Sequence, residues 1–171
     1  MMYVDMDGVL CDFAGQLKNR YNVEIVPAEP MQDMELLEKL NNDYSFWRYM
    51  PLTPYAKTII DVLGKNELDY VIVSKAKTTS ALAAKMEWID KVLREIVPPY
   101  GSRFSGVCLF KHDHRTKHDF LKPSESDFLI DDMIHETLKW RYSFFVDCNF
   151  SAEALEVFVK YAKSFEKQEA V

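Results

Sequence analysis

Asp5-Met6-Asp7-Gly8 sets two carboxylates two positions apart, directly after the short apolar run Met2-Tyr3-Val4 and directly before a glycine. On a strand, residues two apart point the same way. A strand ending at Val4 or Asp5 would project both acids from the carboxyl edge of a sheet, where open α/β sheets build their sites. Gly8 allows the chain to turn away without a side-chain clash. Two acids this close repel each other unless a cation or a proton intervenes. A divalent metal would let one stay ionised as a nucleophile while the other handles protons. An ordinary Asp-Gly turn is the plain alternative. A calcium loop is a poorer one, because its glycine and closing glutamate would be misplaced.

Three further features follow in order, each at or soon after the end of an apolar segment. They are Val71-Ile72-Val73-Ser74, a lysine near the third connection, and Leu129-Ile130-Asp131-Asp132. Parallel strands would bring all these ends to one edge. Acids there hold Mg²⁺, a hydroxyl and an ammonium hold phosphate oxygens, and one free carboxylate attacks, which is what phosphoryl transfer needs.

The elements that must position these residues alternate strand and helix. Met2–Val4 reads as the first strand. Phe13 to Tyr21 reads as a helix, with Phe13, Leu17 and Tyr21 at steps of four. Val23 to Pro30 reads as extended. Asp33 to Leu40 reads as a helix with Asp33 as N-cap. Ser45 to Met50 is an aromatic cluster. Thr53 is expected to cap a helix with Pro54 at its first position, running to Leu63 and stopped by Gly64. The second strand is expected over Tyr70–Val73, ending at Ser74. Ser80 to about Ile96 is a long amphipathic helix carrying Leu82, Met86, Ile89 and Leu93, closed by Pro98-Pro99. Strands follow at Val107–Phe110, Phe128–Ile130 and Ser143–Val146, with a helix from Ile134 to about Arg141. Ser151 caps a last helix through about Phe165, and the tail from Glu166 is expected to fray. Short strands apolar on both faces, alternating with helices, mean a parallel sheet covered on both sides.

The expected fold is therefore α/β, a three-layer Rossmann-like parallel sheet with a small helical cap inserted after the first strand. Residues 1–13 and 52–171 form the α/β hydrolase core, and 14–51 the helical cap. The 171 residues suit one domain with a modest insertion. With 48% hydrophobic and 13% aromatic residues, the chain can build a real core. The net charge of −6, without a Lys/Arg block, argues against a protein that wraps nucleic acid. Three widely spaced cysteines, Cys11, Cys108 and Cys148, imply neither a disulfide framework nor a paired-cysteine metal site. A reducing cytoplasm is expected, with no signal peptide ahead of the first strand and no membrane span. His112, His114 and His118 crowd one loop, but their spacing matches no usual zinc pattern.

The order and most of the spacing of the four features resemble the haloacid dehalogenase-like phosphohydrolases. Asp5-Met6-Asp7-Gly8-Val9-Leu10-Cys11-Asp12-Phe13 looks like the opening of the 5′(3′)-deoxyribonucleotidases. Similar to that group as well are Phe46-Trp47 followed by Leu52-x-Pro54-x-Ala56, Lys85-x-x-Trp88, and Leu129-Ile130-Asp131-Asp132. The resemblance spans roughly Tyr3 to Trp140. It implies a Mg²⁺-dependent phosphomonoesterase acting on (deoxy)ribonucleoside monophosphates. Asp5 would attack phosphorus, and Asp7 would protonate the leaving alcohol and then activate water. The Asp5 carboxylate, the Asp7 carbonyl and Asp132 would hold Mg²⁺, with Asp131 acting through water or orienting the metal shell. Ser74 and Lys117 would bind phosphate, with Lys111 the other candidate lysine. Phe13 would lie against the base or sugar, and Phe46 and Trp47 would offer further contacts from the insertion.

The chain departs from that pattern at Lys75 after Ser74, at Tyr55 in place of a glycine, at Met133-Ile134-His135 after Asp132, and in a longer gap from Lys117 to Asp131. Two other readings stay open. One is the same chemistry on another small phosphate ester or a nucleic-acid 3′ phosphate. The other is a non-catalytic phosphate-binding module of this fold. The expected partner is a small phosphorylated substrate, with neither membrane nor nucleic acid, and a homodimer stays open.

Overall fold

A computed structural model describes residues 1–25, 31–96, 103–111 and 116–169, with backbone alone for 93, 94, 96, 111 and 166–169. Five strands form one parallel sheet: β1 (Met2–Asp5), β2 (Tyr70–Ala76), β3 (Phe104–Lys111), β4 (Phe128–Asp131) and β5 (Tyr142–Phe145). They lie in the order β3-β2-β1-β4-β5, with β1 in the centre. Val4 pairs with Ile72 on one side and Ile130 on the other, so the three strand ends that carry acids or Ser74 are neighbours.

The strands are apolar on both faces because both faces are covered. Val4, Ile72 and Ile130 enter a large core with α4 (Ala56–Lys65), α5 (Thr79–Ile96) and α8 (Ala152–Glu169). Val73 and Leu129 face the other way, into a smaller cluster with Trp140, against which Tyr3, Val71, Cys108 and Leu121 pack. Leu121 closes α6 (Lys117–Leu121), and α7 (Ile134–Thr137) leads toward Trp140. The fold is α/β with helices inserted after β1, as expected.

Those inserted helices are α1 (Phe13–Tyr21), α2 (Met34–Asn42) and α3 (Tyr44–Arg48). The chain enters and leaves them side by side: Asp12 N donates to the Pro51 carbonyl at 2.8 Å and Thr53 N to the Leu10 carbonyl at 3.0 Å. Asp12 and Asp33 cap α1 and α2, accepting from Gly15 N and Leu36 N. The group then docks on α5. Arg48 and Tyr44 both reach Glu87, and Trp88 Nε1 donates to the Met50 carbonyl at 2.7 Å.

Several expected boundaries shift. α4 begins at Ala56, and Thr53 is not its cap, because its hydroxyl donates to the Val9 carbonyl at 2.6 Å. Gly64 does not stop α4, which runs to Lys65. The left-handed turn falls instead at Glu67, with φ 54°. β2 continues through Ser74 to Ala76 because β3 pairs with it all the way to Lys111. The short helix α6 was not expected, and α7 ends at Thr137 rather than near Arg141. α8 extends to Glu169, into the tail expected to fray. The proline stretches after Val23 and after Ile96, with His112 and His114, lie largely or wholly outside the described residues.

Phe128 begins β4 inside an aromatic cluster, with ring centroids 4.9 Å from Tyr142 and 5.6 Å from both Phe158 and Phe165. It ties α8 to the sheet. Phe128→Ala is expected to cost about 3–5 kcal/mol in urea unfolding. A loss under about 1 kcal/mol would mean that α8 is held by other contacts.

Candidate active site and metal centre

The site starts at a sharp turn after β1. Met6 N still donates to the Val73 carbonyl at 3.1 Å, but Leu10 N and Cys11 N both fold back onto the Met6 carbonyl at 2.9 Å. Gly8 takes φ +81°, a conformation L side chains avoid. A Cβ there would lie 1.9 Å from Asp132 Oδ2, so only glycine lets the two strand ends approach. Tyr55 steadies the turn by donating its hydroxyl to the Gly8 carbonyl at 3.0 Å, and its ring stacks on Phe150.

Asp5 and Asp7 do leave the same edge, but each is paired with a different buried ammonium. Lys117 Nζ lies 2.9 Å from Asp5 Oδ1 and 2.5 Å from Asp131 Oδ2. α6 delivers it. Thr116 and Asp119 form a reciprocal capping box, and the Lys117 backbone N–H donates to Glu136 Oε2 at 2.7 Å. Asp7 Oδ2 instead pairs with Lys85 Nζ and accepts from Ser74 Oγ at 3.1 Å. Glu136, itself buried, pairs through Oε1 with Lys75.

Asp132 is the exception. Its Oδ1 is buried and finds no hydrogen-bond partner among the described residues. One carboxylate oxygen from each of Asp5, Asp131 and Asp132 lies within 4.8 Å of the others. A divalent cation with oxygen ligands at about 2.0–2.6 Å fits that spacing. If all are ionised, Asp5, Asp7, Asp131, Asp132 and Glu136 face three ammonium groups, and the cluster keeps a net charge of −2. The donors are all oxygens, which suits a hard cation. Burial pushes the Asp132 carboxyl up to about 7, with Asp131 adding to the rise, Lys117 opposing it and Asp7 adding again. Asp5 is also raised, by burial first, against the pull of Lys117. For Glu136 burial works upward, but Lys117 and Lys75 outweigh it and hold the carboxyl below its usual range.

The remaining candidates fall as follows. Ser74 is fully buried and bonded to Asp7 and Lys85. Phe13 is half-buried, with its ring stacked on Trp47 at 5.7 Å. Phe46 and Trp47 are core residues. The Lys111 side chain lies outside the described residues, whereas Lys117 reaches Asp5. Sequence reasoning missed the roles of Lys85 and Glu136 in this cluster. A signal existed for Lys85. The buried face of α5 is Ala81, Ala84, Lys85, Trp88, Ile89 and Val92, an apolar stripe with one lysine in it. Of the expected stripe, Ile89 is buried and Leu82 packs against the core, Met86 is exposed, and the Leu93 side chain lies outside the described residues.

No protein-family model matches the chain, and no curated protein matches it. Among the described residues, no helix is long and apolar enough to cross a membrane. What stands is a buried acidic group that can hold a metal ion, in a parallel α/β fold.

The Asp132 value gives a pH signature. Its folded value of about 7 exceeds the ordinary 3.8, so the metal-free folded chain holds this proton more tightly than the unfolded chain. Its contribution to stability is full below about 3.8, is lost progressively as pH rises from there, and is gone above about 7. With chelator present, Asp132→Asn is expected to melt above wild type at about pH 8, less so at about pH 5.5, and to approach it only near pH 4, where the unfolded carboxyl also keeps its proton. Magnesium should raise the wild-type Tm more at the higher pH, because protons compete for the ligands. It should leave the variant's Tm unchanged. An undiminished magnesium effect in Asp132→Asn would remove Asp132 from the site.

Proposed function

We propose that the protein is a Mg²⁺-dependent phosphomonoesterase of the haloacid dehalogenase-like type, hydrolysing (deoxy)ribonucleoside monophosphates through an aspartyl phosphate on Asp5. The observation that carries this reading is the Asp5 carboxylate at the end of the central strand, bonded to Lys117 and gathered with Asp131 and Asp132. Asp5, Asp132 and the Asp7 carbonyl would hold the cation, with Asp131 fixed by Lys117 and by Met133 N at 2.8 Å. When bound, the cation keeps Asp5 ionised and offsets charge on the transferring phosphoryl group.

The rest of the chemistry belongs to the side chains. Asp5 Oδ attacks phosphorus, and the P–O bond to the alcohol breaks. Asp7, which enters this step in its acid form with the proton on Oδ1, delivers that proton to the departing oxygen. Asp7 then takes a proton from water, whose oxygen attacks the same phosphorus. The bond from phosphorus to Asp5 breaks, inorganic phosphate leaves, and both aspartates return to their starting state. Lys117 stays beside Asp5 and offsets phosphoryl charge. Ser74 orients Asp7 and lies within the same network. The nucleotide preference rests on the resemblance at the opening motif and on Phe13, half-buried just past the turn.

Two measurements test this. Wild type is expected to hydrolyse p-nitrophenyl phosphate only with Mg²⁺, and Asp5→Asn to lower kcat at least about 10³-fold while keeping the native circular dichroism. Activity surviving in folded Asp5→Asn would overturn the mechanism. In a substrate panel, kcat/KM for deoxynucleoside monophosphates should exceed that for sugar phosphates at least about 10-fold. Equal values would remove the nucleotide assignment and leave the phosphatase.

A further inference from the structure

Lys85 is 0% exposed, the seventh residue of the 18-residue α5. Lysine is almost never fully buried unless it is paired. Its Nζ pairs with Asp7 Oδ2, lies 2.8 Å from Ser74 Oγ, and donates to the Lys75 carbonyl at 2.7 Å. The three donors of an ammonium therefore have three acceptors. The remaining side of Nζ is covered by the Trp47 ring, 4.4 Å to the centroid. Trp47 is itself fixed, donating Nε1–H to the Leu40 carbonyl at 2.8 Å, and Gln16 Nε2 holds the Phe46 carbonyl at 3.1 Å. Among the described residues Asp7 is the carboxylate that answers this charge.

We infer that Lys85 is a positioning residue for Asp7, clamping its carboxylate from α5 together with Ser74 of β2 so that one oxygen is held and the other is left for the leaving group. The inference rests on the phosphomonoesterase reading above. Asp7 Oδ2 receives both Lys85 and Ser74, whereas Oδ1, among the described residues, has only the weak thiol donor of Cys11 at 3.5 Å. Both strong donors on one oxygen fix the carboxylate plane and aim Oδ1 away from them. The clamp also makes α3 part of the site, because Trp47 closes the compartment in which the ammonium sits. A proton donor matters most where the leaving oxygen is a poor leaving group. Lys85 should therefore matter for alkyl esters and little for aryl esters.

The test compares Lys85→Met and Lys85→Gln with wild type on an alkyl phosphate and on p-nitrophenyl phosphate, with Mg²⁺. The ratio of the two kcat/KM values cancels any inactive fraction. The expected result is a loss of about 10²-fold or more on the alkyl ester and under about 5-fold on the aryl ester. The magnesium-induced rise in Tm should be retained, since Asp132 and Lys117 are untouched. Equal losses on both esters, loss of the magnesium effect, or failure of both variants to fold would assign Lys85 to general architecture and overturn the inference. A wild type inert on both esters would remove the phosphatase reading and this inference together. Unequal losses beside an active wild type support both.

Discussion

The carboxyl edge of this sheet has a charge problem, and much of the molecule is arranged around it. Carboxylates from three adjacent regions meet where water is scarce, and a buried charge without a partner costs several kcal/mol. The chain answers with lysines, of which Lys85 and Lys117 are themselves buried and Lys75 partly so, and each ion is held by the other. Lys117 serves Asp5 and Asp131, Lys85 serves Asp7, and Lys75 serves Glu136. Among the described residues Asp132 alone is paired with no cation, and burial holds its carboxyl raised. An ion-binding reading follows from the imbalance itself, before any analogy is invoked.

Each lysine comes from a different direction, which explains architecture that otherwise looks incidental. Lys117 comes from a five-residue helix whose capping box fixes its first turn. Glu136 anchors that turn from below by accepting the Lys117 N–H, so α6 and α7 are tied through one carboxylate. Lys85 arrives from α5 and is roofed by Trp47 of α3. The inserted helices thus take part in the site through α3. They form one wall of the compartment that makes a buried ammonium tolerable, and their docking on α5 keeps that wall in place.

Where reading the chain failed, the failures have physical causes. The strand end at Ser74 was misplaced because pairing with β3 extends β2, and pairing is not a local property. Thr53 looks like a cap from its neighbour Pro54, yet its hydroxyl is drawn to the Val9 carbonyl by the crossing of the insertion's two ends. α6 has only five residues, too few for periodicity to reveal. The face of α5 was read from its largest apolar residues, which favoured Met86. The buried face is set by close packing, which selects two alanines, a tryptophan and a lysine.

Sequence alone determined the alternation of strands and helices, the insertion after the first strand, and the acids at the strand ends. These are local: each follows from apolar runs, caps and turn residues within a few positions. Gly8 belongs here too, as the residue beside two acids that a sharp turn requires. Tertiary structure decided which charges pair, that Asp132 is left unmatched, and that Lys85 stands inside the site. Those outcomes depend on distances between residues tens of positions apart, and on burial, which turns a solvated lysine into a fixed partner. Chemistry at an edge of this kind is written in residue types, but its balance of charge is written only in the packing.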